Sequence, residues 1–289
     1  MSIIPSNRRA MPVGEAATMA VIYEVTAPKP GNVHRGADFE DVTYVDFLHS
    51  AVVVGPVVAR VTELGVGAAV LEAVLATRDA VGTNTNLGTL LLIAPLAAVP
   101  DRVRPSDGIG RVLRELTLDD TRNVYEAIRV SAAGGLGRAA EADVQEEPPA
   151  ELSLVDAMRL ASDRDLVARQ YCYGFANVFE IANRIEASLD RGWSLDTSIV
   201  REHIRQLALE VDSLILRKCG RQVAEQTRAM AMRVLDAGSP GDEKYEHGLE
   251  DFDFWLRSDG HRRNPGTTAD LIAAGLFVLL RAGRVELKR

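Results

Sequence analysis

SLDTSIVREHIRQLALEVDSLILRKCG, residues Ser194–Gly220, is the stretch whose reading decides the fold. Ile199, Ile204, Leu207, Val211, Leu214 and Ile215 recur at the spacing of one apolar helix face. The run closes on Arg217, Lys218 and Gly220, basic residues and then a glycine, as helix C-termini favour. The pattern predicts a single helix from Ser194 to Gly220, with Asp212 interrupting its apolar face.

The same period extends outward in both directions. It predicts helices over residues 13–25, 44–64, 68–80, 85–99, 109–116, 121–131, 162–189, 221–237 and 268–281. Pro56 and Pro95 should kink or split two of them. Alternating runs joined by hairpin turns are absent, so no sheet is expected. Residues 100–107, 146–149 and 238–242 read as loops, and residues 145–151 as an exposed, mobile segment. No internal repeat is visible, and residues 1–289 read as a single all-α domain with a central cleft.

Composition narrows the function classes. Hydrophobic residues make up 47% and charged residues 26%, as in globular proteins, while aromatics are only 5%. The 33 basic and 41 acidic residues leave a net charge of -8, the wrong sign for a nucleic-acid binder. Two distant cysteines, Cys172 and Cys219, form no disulfide framework and fit a reducing, cytoplasmic setting. No apolar signal core or membrane-length run is present, so no membrane partner is expected. Oligomeric state is open, and a homo-oligomer is compatible with this reading.

Three turn-to-helix junctions carry chemistry that a packed core does not need. Pro28-Lys29-Pro30-Gly31 stiffens the backbone around one lysine, just after Glu24 at the end of an apolar helix. Gly82–Gly88 places Asn84, Thr85 and Asn86 before a clean apolar helix. Asn264–Leu271 turns at Pro265-Gly266, then offers Thr267, Thr268 and Asp270 at a helix start. Helix starts offer free N–H donors and a dipole that favours anions, so a phosphorylated, nucleotide-like ligand is expected.

Carboxylates supply the second half of the site. Glu24, Asp120 and Asp212 are candidate Mg²⁺ ligands, and with Asp270 they are candidate catalytic groups. Lys29, Gly31, Asn84, Thr85, Asn86, Gly88, Arg217, Lys218, Gly266, Thr267 and Thr268 are the candidate phosphate-binding set. Glu141 with Asp143, Asp163 with Asp165, and the turn Gly134–Gly137 are weaker candidates. Five histidines without HxH or HxxxH spacing argue against zinc. Residues 170–175 (QYCYGF) form an aromatic patch that is either core or a stacking face for a base.

In this order the segments resemble the triphosphoribosyl-dephospho-CoA synthase family, across nearly the whole chain. The counterparts are Glu24 with Pro28–Gly31, then Gly82–Gly88, Asp212–Gly220 and Pro265–Leu271. The resemblance implies an all-α transferase that uses ATP and 3′-dephospho-CoA, with Mg²⁺ shielding the triphosphate. A ribose hydroxyl would attack C1 of the ATP sugar and adenine would leave. Asn86-Leu87 stands where the family carries His-Lys, Lys218-Cys219-Gly220 where it carries Arg-Gly-Gly, and Thr267-Thr268 where it carries Gly-Ser. Those departures look like a branch linked to methanopterin- or methanofuran-type one-carbon carrier assembly. An enzyme of that assembly acting on a phosphorylated intermediate without ATP is therefore a second expectation. A non-catalytic helical partner protein is a third.

Overall fold

A computed structural model describes residues 10–131 and 148–285 of the chain. Three of the expected long helices are broken there: residues 44–64 divide into Tyr44–Val58 and Val61–Leu64, and the two further breaks each have a local cause. The helix begun at Ser194 ends as α11 (Leu195–Leu209), where Glu210 turns into extended backbone (φ -127°, ψ 150°). Asp212 then opens α12 (Ser213–Cys219), its Oδ1 accepting from the amides of Leu214 at 2.9 Å and Ile215 at 3.1 Å. Asp212 thus starts a helix rather than interrupting one, as short acidic side chains do at N-caps. The other break separates α9 (Leu166–Cys172) from α10 (Ala176–Asp190). Gly174 and Phe175 adopt left-handed backbone there, φ 59° and 62°. Phe175 tolerates that conformation in the core, where its ring meets Tyr171 at 5.4 Å.

The remaining early elements are α1 (Val13–Thr26), α2 (Tyr44–Val58), α3 (Val61–Leu64), α4 (Val66–Val81), α5 (Leu87–Ala97), α6 (Pro105–Glu115) and α7 (Leu118–Val130). Later come α8 (Leu154–Ala161), α13 (Arg221–Asp236), α14 (Glu243–Arg257), the four-residue strand β1 (Ser258–His261) and α15 (Gly266–Arg281). The fold is all-α, with 15 helices and no sheet among the described residues. Two helices escaped the sequence reading, α8 and α14. Each buries too few apolar residues for a clear period: Leu154 and Met158 in α8, and Tyr245, Phe252 and Leu256 in α14. The loop expected over residues 100–107 shortens, because Pro105 opens α6. Residues 134–137, 141, 143 and 145–147 lie outside the described residues.

Each internal proline lies two residues before its helix ends, Pro56 before Val58 and Pro95 before Ala97, and the expected helix over 44–64 is split just past Pro56. Pro95 has no N–H for the carbonyl of Leu91, and the hydroxyl of Tyr171 donates to that carbonyl instead, at 2.6 Å. Close approach between α1 and α2 rests on paired glycines. A Cβ on Gly14 would sit 2.6 Å from the Gly55 carbonyl oxygen.

At the centre lies α15, buried nearly all round and packed against α1, α5, α9, α10, α11 and α12. Its alignment with α5 positions the site. Near the two N-termini, Thr89 Oγ1 donates to Asp270 Oδ1 at 2.7 Å. Near the two C-termini, the buried Arg281 guanidinium donates to the carbonyls of Leu96, at 2.6 Å, and Val99. The two helices therefore run side by side in the same direction. A smaller apolar cluster, built from α11 to α14, meets the main core through Leu249.

Candidate active site

Parallel α5 and α15 bring two positive helix ends to one side of a cavity of about 470 Å³. Glu24, from the end of α1, and Asp270, from the second turn of α15, both line it. The loop before α5 contributes Asn84, Thr85 and Asn86, and α5 itself Gly88 and Thr89. The far wall is apolar, with Val124 and Ile128 of α7 and Leu154 and Met158 of α8.

Asp270 is partly open to this cavity yet deep within the protein, so its carboxyl is poorly solvated. Burial pushes it up from 3.8 to about 7; the Thr89 hydrogen bond opposes that, and the nearby Glu24 and Asp212 charges add to it. Gly88 makes room for it, since a Cβ there would lie 2.1 Å from Asp270 Oδ2. Glu24 is only 7% exposed, and Lys29 Nζ meets its Oε1 at 2.8 Å.

That ion pair corrects one expectation. Lys29 is 0% exposed and does not line the cavity, so it is the internal counter-ion of Glu24 rather than a phosphate ligand. Its ammonium also donates to the backbone carbonyls of Glu24 and Ala27. Gly31 is turned inward as well, its amide donating to Asp253 Oδ1 at 2.7 Å. Behind the loop, buried His203 holds the Pro30 carbonyl at 3.3 Å. Burial first, and then the Lys29 charge, push that imidazole down to about 3, so it is neutral and donates.

The Mg²⁺ set is corrected too. Asp212 is 2% exposed, and Oδ2 accepts from the amide and hydroxyl of Thr268, at 2.7 and 2.8 Å, while Oδ1 caps α12. Thr268 is thereby committed to Asp212 and does not line the cavity. Asp120 lies away from it, capping α7 through Thr117 and accepting from the Gly67 amide at the start of α4, at 2.7 Å. Both carboxylates are occupied by helix starts. Of the three expected Mg²⁺ ligands only Glu24 lines the cavity, so Glu24, Asp120 and Asp212 do not converge on one ion there.

Ten of the predicted residues do line one cavity: Glu24, Asn84, Thr85, Asn86, Gly88, Arg217, Lys218, Gly266, Thr267 and Asp270. Some are partly engaged within the protein. Asn84 Oδ1 accepts from the amides of Asn86 and Leu87, Thr85 shares a 2.6 Å hydrogen bond with Ser50, and the Asn86 amide donates to Thr77. Arg217 pairs with Asp165 at 2.7 Å. Lys218 has no salt-bridge partner among the described residues, and burial lowers its ammonium from the usual value. Arg164 lines the same cavity without an ion-pair partner among the described residues. Sequence reading missed Arg164, Thr89 and Asn32; the unusual cation between Asp163 and Asp165 was the signal for the first. Asn32 is buried, and its Oδ1 lacks a hydrogen-bond partner. The aromatic patch divides: Tyr171 and Phe175 are buried in the core, Tyr173 is exposed, and none of the three lines the cavity.

Comparison with known proteins shows the family of the chain. Residues 10–288 match the family described as CitG, ATP:dephospho-CoA triphosphoribosyl transferase. The chain is a member of that family. A crystal structure from Archaeoglobus fulgidus, provisionally named a triphosphoribosyl-dephospho-CoA synthase, has a similar fold. It gives a TM-score of 0.63 at 26% identity, over 83% of this chain and 99% of that one. No curated protein matches the sequence closely enough to count. The protein is thus a triphosphoribosyl transferase-like enzyme of a family whose donor is ATP, and the expectation of a non-catalytic partner falls. Among the described residues no helix is long and apolar enough to cross a membrane.

Proposed function

We propose that the cavity binds ATP and transfers its triphosphoribosyl group to a hydroxyl acceptor. The observation that carries this reading is the convergence on one cavity of two parallel helix N-termini, the Glu24 and Asp270 carboxyls, and Lys218 and Arg164, which have no ion-pair partner among the described residues. The helix ends and cations are suited to phosphates, and a triphosphate needs several such donors at once. A carboxylate suits the positive charge that develops at C1 as the base departs. Mg²⁺ would arrive on the triphosphate with phosphate oxygens as its main ligands, as this ion commonly does. Residues 1–289 would work as one domain, since the two apolar clusters share Leu249. Free thiols at Cys172 and Cys219 fit a cytoplasmic setting.

The test is direct. Protein supplied with MgATP and 3′-dephospho-CoA should release adenine and form an equal amount of a product heavier by one triphosphoribosyl group, read by chromatography and mass spectrometry. Absence of adenine with every hydroxyl acceptor offered would overturn the proposal.

Leu87 favours a second reading. It lines the cavity where the family motif carries lysine, so one phosphate contact is missing. An enzyme of one-carbon carrier assembly, acting on a phosphorylated intermediate without ATP, would show no heat with MgATP in calorimetry.

A further inference from the structure

A triphosphoribosyl group is ATP less its adenine, so the bond broken is the one between C1 of the ribose and adenine N9. Adenine leaves poorly as an anion and readily once a ring nitrogen is protonated. The attacking hydroxyl must lose a proton in the same turnover. The reaction therefore asks for one acid and one base at the same cavity.

Two carboxyl groups meet there, and their surroundings differ in kind. Glu24 faces the ammonium of Lys29 at 2.8 Å. Asp270 has no salt-bridge partner among the described residues; it accepts a hydrogen bond from the neutral hydroxyl of Thr89 at 2.7 Å, and Gly88 lies close against its other oxygen. The two charges that push Asp270 hardest are both negative, Glu24 from α1 and Asp212 at the start of α12. Paired carboxyls in unlike environments divide into acid and base.

We propose that Asp270 is the proton donor to the departing base and Glu24 the acceptor of the incoming hydroxyl's proton. The inference rests on the triphosphoribosyl-transfer reading. A bond forms between the acceptor oxygen and C1, and the C1–N9 bond breaks with its electron pair going to the purine. The Asp270 proton goes to a purine ring nitrogen, and neutral adenine departs. The acceptor's proton goes to Glu24, then returns to Asp270 through the opened cavity before the next turnover. No electron is gained or lost. The protonated Asp270 brings no negative charge to C1, so charge stabilisation there falls to Glu24. The value of about 7 for Asp270 agrees with a group that still holds its proton near neutrality.

The decisive experiment compares two donors, ATP and N7-methyl-ATP, whose cationic purine leaves without being protonated. Asp270→Asn preserves shape and the Thr89 contact. It should cut kcat with ATP by about 10² to 10³-fold, yet stay within about fivefold of the unaltered enzyme with N7-methyl-ATP. Glu24→Gln should fail with both donors. In the unaltered enzyme kcat/KM should fall above about pH 7 with ATP and stay level with the methylated donor; this readout needs no variant. Equal losses on both donors in Asp270→Asn, or a pH profile that ignores the donor, would overturn the assignment. An unaltered enzyme that releases no adenine at all would instead sink the transfer reading beneath it.

Discussion

Lys29 shows how a motif residue can be read correctly for its chemistry and wrongly for its partner. Two flanking prolines do hold it for an anion, but the anion is Glu24, five residues back. Removing the ammonium leaves a buried carboxylate unpaired. Lys29→Met should therefore cost about 3–5 kcal/mol in denaturant unfolding, and adding Glu24→Gln should recover at least half of that. Asp270 carries the opposite linkage. Its pKa is raised in the folded protein, so folding takes up a proton. The stability this contributes is complete below about pH 4 and is lost as the pH rises toward 7. With 3.8 and about 7 as end points, the effect reaches roughly 4 kcal/mol. Unfolding measured from pH 4 to 7 should decline less steeply in Asp270→Asn than in the unaltered protein. An identical slope would mean that Asp270 ionises normally.

At the scale of elements, carboxylates that looked catalytic turn out to join helix starts. Asp212 serves α12 with one oxygen and α15 with the other, and Asp120 does the same for α7 and α4. A lost N-cap costs about 0.5–2 kcal/mol, so Asp212→Ala should lose roughly 1–4 kcal/mol in thermal or chemical unfolding. Turnover should suffer through a displaced α15 start, with KM rising more than kcat falls. Stability unchanged within 0.5 kcal/mol, taken as roughly the effect of an ordinary surface change, would refute the double cap. Helix periodicity was legible for α1, α4 and α13 through one apolar face each, and α15 was legible as a nearly continuous apolar run. It misled at α9–α10 and α11–α12, where both partners of each break share one apolar face. A tertiary contact, Thr268 on Asp212, selects the second break.

For the molecule as a whole, α15 is the frame. Its C-terminal Arg281 secures the end of α5, and its N-terminal Asp270 meets the start of α5. Both helix dipoles therefore aim into the same space. A ligand bound there should stabilise the entire fold by mass action: MgATP at 100 times its Kd should add about 2.7 kcal/mol to stability. Combined Arg164→Ala and Lys218→Ala should abolish most of that thermal shift while leaving the ligand-free midpoint nearly unmoved, because among the described residues neither cation has an ion-pair partner and Arg164 loses only an exposed hydrogen bond to the Leu160 carbonyl.

The sequence by itself determined the helical class, two of the three turn-to-helix junctions and ten of the residues around the cavity, because period, capping and turn chemistry are local properties. The third junction, Pro28–Gly31, instead closes α1, and the next helix starts only at Tyr44. Only the tertiary structure decided which charges face ligand and which face protein. Lys29, Asp120 and Asp212 satisfy partners far from them in sequence or sealed inside the fold. Arg164 reaches the cavity from a short turn that no periodicity marks. Burial and pairing depend on what packs across a space, and a linear chain carries no record of that until it folds.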